Sequence, residues 1–157
     1  MFQSKIIMDG QLKNFQSPSI ERLIAIIIFS FLATFTISRL MVYLVLEHLM
    51  PDFFLTIKGV HIHHFAYGVF ILTVISFYFI IGQPTSGTKR FRWATAIYGI
   101  GLGLTFDEFG MWIHLEDNYW IRQSYDAVII ITLLLLNIAY RKFVWRWLKE
   151  IYRLVKK

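Results

Sequence analysis

Four apolar stretches divide the chain, and most charged residues fall between them. They run from about Leu23 to Leu46, His61 to Ile81, Trp93 to Leu115 and Tyr125 to Tyr140. At ~1.5 Å of rise per residue, the first three are long enough as helices to cross a hydrocarbon core of ~30 Å. The fourth is short, so Arg141 and Lys142 must snorkel or the helix must continue. Ser19 can cap the first helix, with Glu21 and Arg22 in its first turn, and Pro51 stops any helix beyond Glu47-His48. The third stretch is the odd one, with Gly99, Gly101, Gly103 and Gly110 alongside Asp107, Glu108 and His114.

The pattern predicts an all-α fold: one integral membrane domain over residues 1–157, built as a four-helix transmembrane bundle. After Tyr140 the character changes. Bulky apolar residues alternate with Arg and Lys to the end of the chain, which predicts a basic amphipathic helix over 141–157 lying on anionic lipid. The stretch before Leu23 is mixed in character and has no small-residue cleavage site after the first apolar run, so the first helix is expected to be a retained anchor.

Composition agrees with this reading. Of 157 residues, 57% are hydrophobic and 17% charged, less charge than a soluble domain carries. There is no cysteine, which removes disulfides, thiolate metal sites and cysteine nucleophiles. A net charge of +6 has no nucleic-acid motif beside it, so no nucleic acid is expected as partner. The charge sets orientation instead. The N-terminal tail, the loop with Lys89, Arg90 and Arg92, and the C-terminal tail share 13 of the 16 basic residues. The positive-inside rule places that face, with both termini, in the cytoplasm, and the expected location is a prokaryotic cytoplasmic (inner) membrane.

All five histidines then fall toward the opposite face, together with seven of the ten acids. Asp107 lies roughly 13 Å along the third helix from its outer end, and Arg39 lies at a similar depth in the first. Charges at that depth cost about 2.5–3.5 kcal/mol each on insertion scales, so they should face inward and pair, Arg39 with Asp107 or Glu108. His61 and His64, three residues apart, share a face of the second helix, and Asp107, Met111, His114 and Asn118 form one stripe on the third. Gly99 and Gly103 form a small-xxx-small pair for close helix approach, to the helix bearing Arg39 or the histidines, or to a homo- or hetero-oligomeric partner. Trp112, Tyr119, Trp120 and Tyr125 are expected in an interfacial aromatic belt.

Imidazoles with carboxylates suit a divalent metal (zinc, iron or manganese), with His61, His63, His64, Asp107 and Glu108 as candidate ligands. Asp107 and Glu108 are also candidate catalytic bases. No named metal motif is present, neither His-Glu-x-x-His nor Glu-x-x-His. The same residues equally suit a structural ion-pair or proton-binding network.

The segments HIHHFAYG and GLGLTFDEFGMWIHLEDNYW resemble a family of small prokaryotic integral membrane proteins with no assigned reaction. The likeness covers about Arg39 to Val128. It implies a shared polar site at His61, His63, His64, Asp107, Glu108, Glu116 and Asp117, with His114 as an additional polar neighbour at a position that varies in the family. Three functions remain open at this point. One is a metal-dependent enzyme acting on a lipid or lipid-linked substrate. Another is a small transporter or proton- or metal-handling subunit, and the third is a scaffold.

Overall fold

The computed structural model describes residues 19–51, 56–57, 60–116 and 118–156. Among the described residues the regular secondary structure is helical apart from one two-residue antiparallel pair. Helix α1 spans Ile20–Leu46, α2 His64–Gly82, α3 Lys89–Asp107, α4 Phe109–His114 and α5 Arg122–Val155. The strand pair is β1 (Thr56–Ile57) with β2 (Val60–His61), in the α1–α2 connection.

Among the described residues three helices are long and apolar enough to cross a membrane: Ile20–Leu46, His64–Gly82 and Arg122–Leu154. The large apolar side chains of these helices point outward, with Phe29 77% and Ile81 76% exposed. The interior holds Ser38, Arg39, Thr95, Thr105, Asp107, Glu108 and Ser124. An apolar exterior around a partly polar interior is stable where the surroundings are hydrocarbon.

Helix α3 is the central element, packed against α1 on one side and α2 on the other, with α5 also touching it. Its glycines explain how one helix receives two neighbours. A Cβ on Gly103 would lie 2.8 Å from the Phe31 carbonyl oxygen of α1, and one on Gly99 would lie 2.7 Å from that of Ile27. Gly101 faces the other way, onto Leu72 and Ile71 of α2, while Gly68 of α2 meets the Thr105 backbone. The Gly99/Gly103 face is therefore filled by α1, the helix that carries Arg39. On α1 the contact face repeats every seven residues, through Ile24, Phe31, Ser38 and Val45, the spacing of a left-handed helix pair.

The helix ends differ from expectation in three places. The second helix starts at His64 rather than His61. His63 is its extended N-cap and the His61 backbone belongs to β2, so His61 and His64 do not share a helical face. The third predicted helix, Trp93 to Leu115, is broken. Glu108 has φ −104° and ψ 12°, ending α3 and opening α4. The fourth predicted helix and the tail form one helix with a kink at Tyr140 (φ −102°, ψ 18°), the residue where the apolar pattern stops. The Ser19 cap forms as expected, accepting from the Arg22 N–H.

Candidate functional site

The break at Glu108 creates the site. In a continuous helix, consecutive side chains diverge by about 100°. Here the non-helical residue turns the Glu108 side chain toward the same interior as Asp107, and both are buried, at 1% and 0% exposure. The expected stripe from Asp107 to Asn118 does not form, because it needs an unbroken helix.

Arg39 holds the α3 side of the break. Its Nε lies 2.6 Å from Asp107 Oδ1. Its Nη2 donates to the Asp107 carbonyl and its Nη1 to the Tyr119 carbonyl. The guanidinium also lies against the rings of Phe35 and Tyr125, 5.5 and 5.2 Å from their centroids. One side chain thus joins α1 to the end of α3 and to the α4–α5 connection. A planar fork with several donors suits this task, which an ammonium cannot match.

Glu108 and the histidines form the α2 side. Glu108 Oε2 accepts the Phe65 N–H at 2.9 Å, capping α2 from 43 residues away in sequence. His63 itself makes no side-chain cap bond there. Glu108 Oε1 faces His63 Nδ1 at 3.5 Å and His64 Nδ1 at 3.8 Å. His64 Nδ1 is also 3.7 Å from Asp107 Oδ2. The structure therefore assembles Arg39, His63, His64, Asp107 and Glu108.

Other candidates stand apart. His114 and Glu116 are exposed at the end of α4 and just beyond it. Asp117 and the His61 side chain lie outside the described residues. His48 is exposed and takes the left-handed position (φ 57°) of an α1 stop, where the Leu49 N–H returns to the Leu44 carbonyl. Among the described residues no group of three or more His, Asp or Glu side chains is arranged to hold a metal ion.

Two contributors escaped the sequence pattern. Ser124 of α5 is fully buried, and its hydroxyl accepts the Gly110 N–H at 2.9 Å, capping α4 across a helix contact. Tyr125, expected in the aromatic belt, packs beside Arg39 and edge-on to Phe35. Both depend on the break at Glu108, which no local signal marks.

A cavity of about 470 Å³ opens between the start of α2 and α4. Its walls are apolar, from Phe65, Ala66, Met111, Trp112 and Leu115. The rings of Phe65 and Trp112 stack at 5.4 Å with an interplanar angle of 11°. The polar side chains that line it are His63, Glu108 and Glu116. Glu108 is thus shared between the buried cluster and the groove.

Comparison with protein-family models, curated proteins and solved structures finds no match.

Proposed function

We propose that this chain is a four-span protein of a prokaryotic cytoplasmic membrane, with both termini inside. Its Glu108–His63–His64 centre binds the polar end of a lipid or lipid-linked molecule held in the groove, and exchanges protons with it. The observation that carries the proposal is the dual position of Glu108. One oxygen is fixed by the Phe65 N–H, while the other faces His63, and the residue lines an apolar groove. A buried carboxylate beside an imidazole is a proton-accepting pair in a water-poor setting. Asp107, neutralised by Arg39, then has a supporting role, holding the Arg39 clasp and facing His64.

The remaining span is α3, roughly 28 Å long by its rise. Lys89, Arg90 and Arg92 at its start favour the cytoplasmic face, as do Arg141 and Lys142 beyond the α5 kink. The rest of α5, with Arg146, Lys149 and Arg153 among Trp145 and Trp147, suits a helix resting on anionic lipid.

A divalent cation is the second reading, favoured by the 3.5–3.8 Å spacing of the imidazole nitrogens and carboxylate oxygens. Two ligands of one tetrahedral zinc stand about 3.4 Å apart, given bonds of 2.0–2.2 Å. The cluster would have to contract slightly and recruit a further ligand, such as His61.

The test is mass spectrometry of tag-free protein, read for bound lipid and bound metal. Ala66→Trp fills the groove while leaving every cluster side chain unsubstituted. Wild type should carry a lipid-like molecule that this variant loses at unchanged thermal stability. Equal retention by both would sink the groove reading, and stoichiometric metal without lipid would favour the second.

A further inference from the structure

We infer that two copies of this chain pair side by side in the membrane through the outer face of α5, with Asn137 of one copy hydrogen-bonded to Asn137 of the other.

The small-residue face at Gly99 and Gly103 is already filled by α1, so a second copy has to use another surface. Of the three long apolar helices, α5 is the least covered within the chain, with 6% of its apolar stretch buried against 22% for α1. Its inward side carries Ser124, Ala127, Val128 and Ala139, all buried. At 100° per residue, Asn137 lies on the opposite side, in a stripe with Ile130, Leu133 and Tyr140. All four are exposed, and their alternating spacing of three and four residues is that of a left-handed helix pair. A hollow of about 510 Å³ lies on this side at the kink. Leu133, Leu136, Phe143 and Val144 give it apolar walls, and Asn137 and Tyr140 are its polar side chains.

Asn137 identifies the occupant. It falls within the apolar run of α5, three residues before the kink. Among the described residues no hydrogen bond reaches its side-chain amide. A primary amide is costly in hydrocarbon until its donors and acceptor are met, and lipid chains offer neither. Asparagine therefore drives one membrane helix onto another. A second copy fits best because an amide both donates and accepts, and so complements itself. All copies of one chain insert in the same direction, so a two-fold axis between them runs along the membrane normal. Residues at equal depth then meet, which brings Asn137 to Asn137. A single polar residue at such a seam also fixes the register of the pair.

Charge at the outer end of the stripe is compatible with self-pairing. Arg122 and Asp126 stand one turn apart, 3.3 Å from each other, with the Arg122 side chain exposed and that of Asp126 half-exposed. A stripe carrying both signs can exchange ion-pair partners with its copy, whereas a stripe of one sign would repel it. Beyond Tyr140 the sequence turns basic, so like charges favour ending the contact at the kink.

The experiment is disulfide trapping of the full chain in native membranes, which a chain without cysteine allows. Leu133→Cys lies on the stripe. Ile138→Cys is also exposed but lies about 100° round the helix from Asn137. Phe29→Cys, exposed on α1, reports random collision. Under a mild oxidant Leu133→Cys should give covalent dimers, and Ile138→Cys no more than Phe29→Cys. Adding Asn137→Leu to Leu133→Cys should weaken association about tenfold on dilution with lipid, the size of an interhelical hydrogen-bond pair. Asn137→Gln keeps an amide and should stay near the parent level, which separates hydrogen bonding from packing. Equal cross-linking at all three positions would overturn the pairing, as would a dimer indifferent to Asn137→Leu. A chain that stays monomeric at every lipid ratio would assign the amide to head-group water and overturn it too. A different protein captured stoichiometrically at Leu133→Cys would rule out the second copy.

Discussion

Glu108 accepts the backbone N–H of Phe65 at 2.9 Å, so the carboxylate that interrupts one helix caps another. That bond separates what a cap does from what a charge does. Glu108→Gln keeps an acceptor for Phe65, and Glu108→Ala removes it. The alanine variant should be about 1–2 kcal/mol less stable than the glutamine variant, the size of a lost cap. Equilibrium unfolding in mild detergent measures the difference. Equal stability would mean that the cap is not what fixes the start of α2.

The Arg39 clasp makes a larger prediction. Arg39→Met leaves Asp107 charged, buried and without its partner, which costs about 3–5 kcal/mol. The double variant Arg39→Met with Asp107→Leu removes the stranded charge and should recover much of that loss. Arg39→Lys should fall between them, because an ammonium cannot hold Asp107 and reach the Tyr119 carbonyl together. A double-mutant cycle on thermal unfolding checks the coupling, and additive losses would contradict it.

Glycines on opposite faces of α3 should differ. A Cβ on Gly103 meets the Phe31 carbonyl at 2.8 Å, and backbone cannot step aside cheaply. A Cβ on Gly101 meets only side-chain atoms of Leu72 and Ile71, at 3.0 and 3.1 Å. Gly103→Ala should therefore destabilise clearly, by about 1–3 kcal/mol, and Gly101→Ala much less. Comparing the two melting temperatures decides it.

His48 is a backbone device. A non-glycine residue in the left-handed region carries a strain of about 1–2 kcal/mol that glycine does not. His48→Gly should leave the protein as stable or more stable, and ligand retention unchanged. Lost retention would place His48 in the site.

Much of this architecture is legible in the sequence because hydrocarbon imposes it. Apolar runs of the right length had to become helices, and Arg39 at the depth of Asp107 had to find a carboxylate. Tyr140, where apolar residues give way to Arg141 and Lys142, is where α5 kinks. The break at Glu108 was not legible. No proline marks it, and the nearest glycine, Gly110, reads equally as helix packing. What sustains it is tertiary: Arg39 on the Asp107 carbonyl, Phe65 on the Glu108 carboxylate, and Ser124 on the Gly110 N–H. For the same reason a periodicity drawn through a continuous helix gave His114 a place beside Asp107 that it does not take. His63 and His64 reach the cluster although only one of them is helical, because the strand pair and the late start of α2 set their directions.

The central claim, that a lipid-like molecule occupies the groove beside Glu108, is tested most directly by thiol protection. The chain has no cysteine of its own, so Ala66→Cys reports the groove and Phe70→Cys an exposed position one turn further along α2 that does not line it. Each is reacted with an apolar maleimide in native membranes and again after lipid removal. Occupancy predicts that the ratio of Ala66→Cys to Phe70→Cys reactivity rises on the order of tenfold once the ligand is gone, as a site held mostly bound becomes free. A ratio that stays the same would contradict the account.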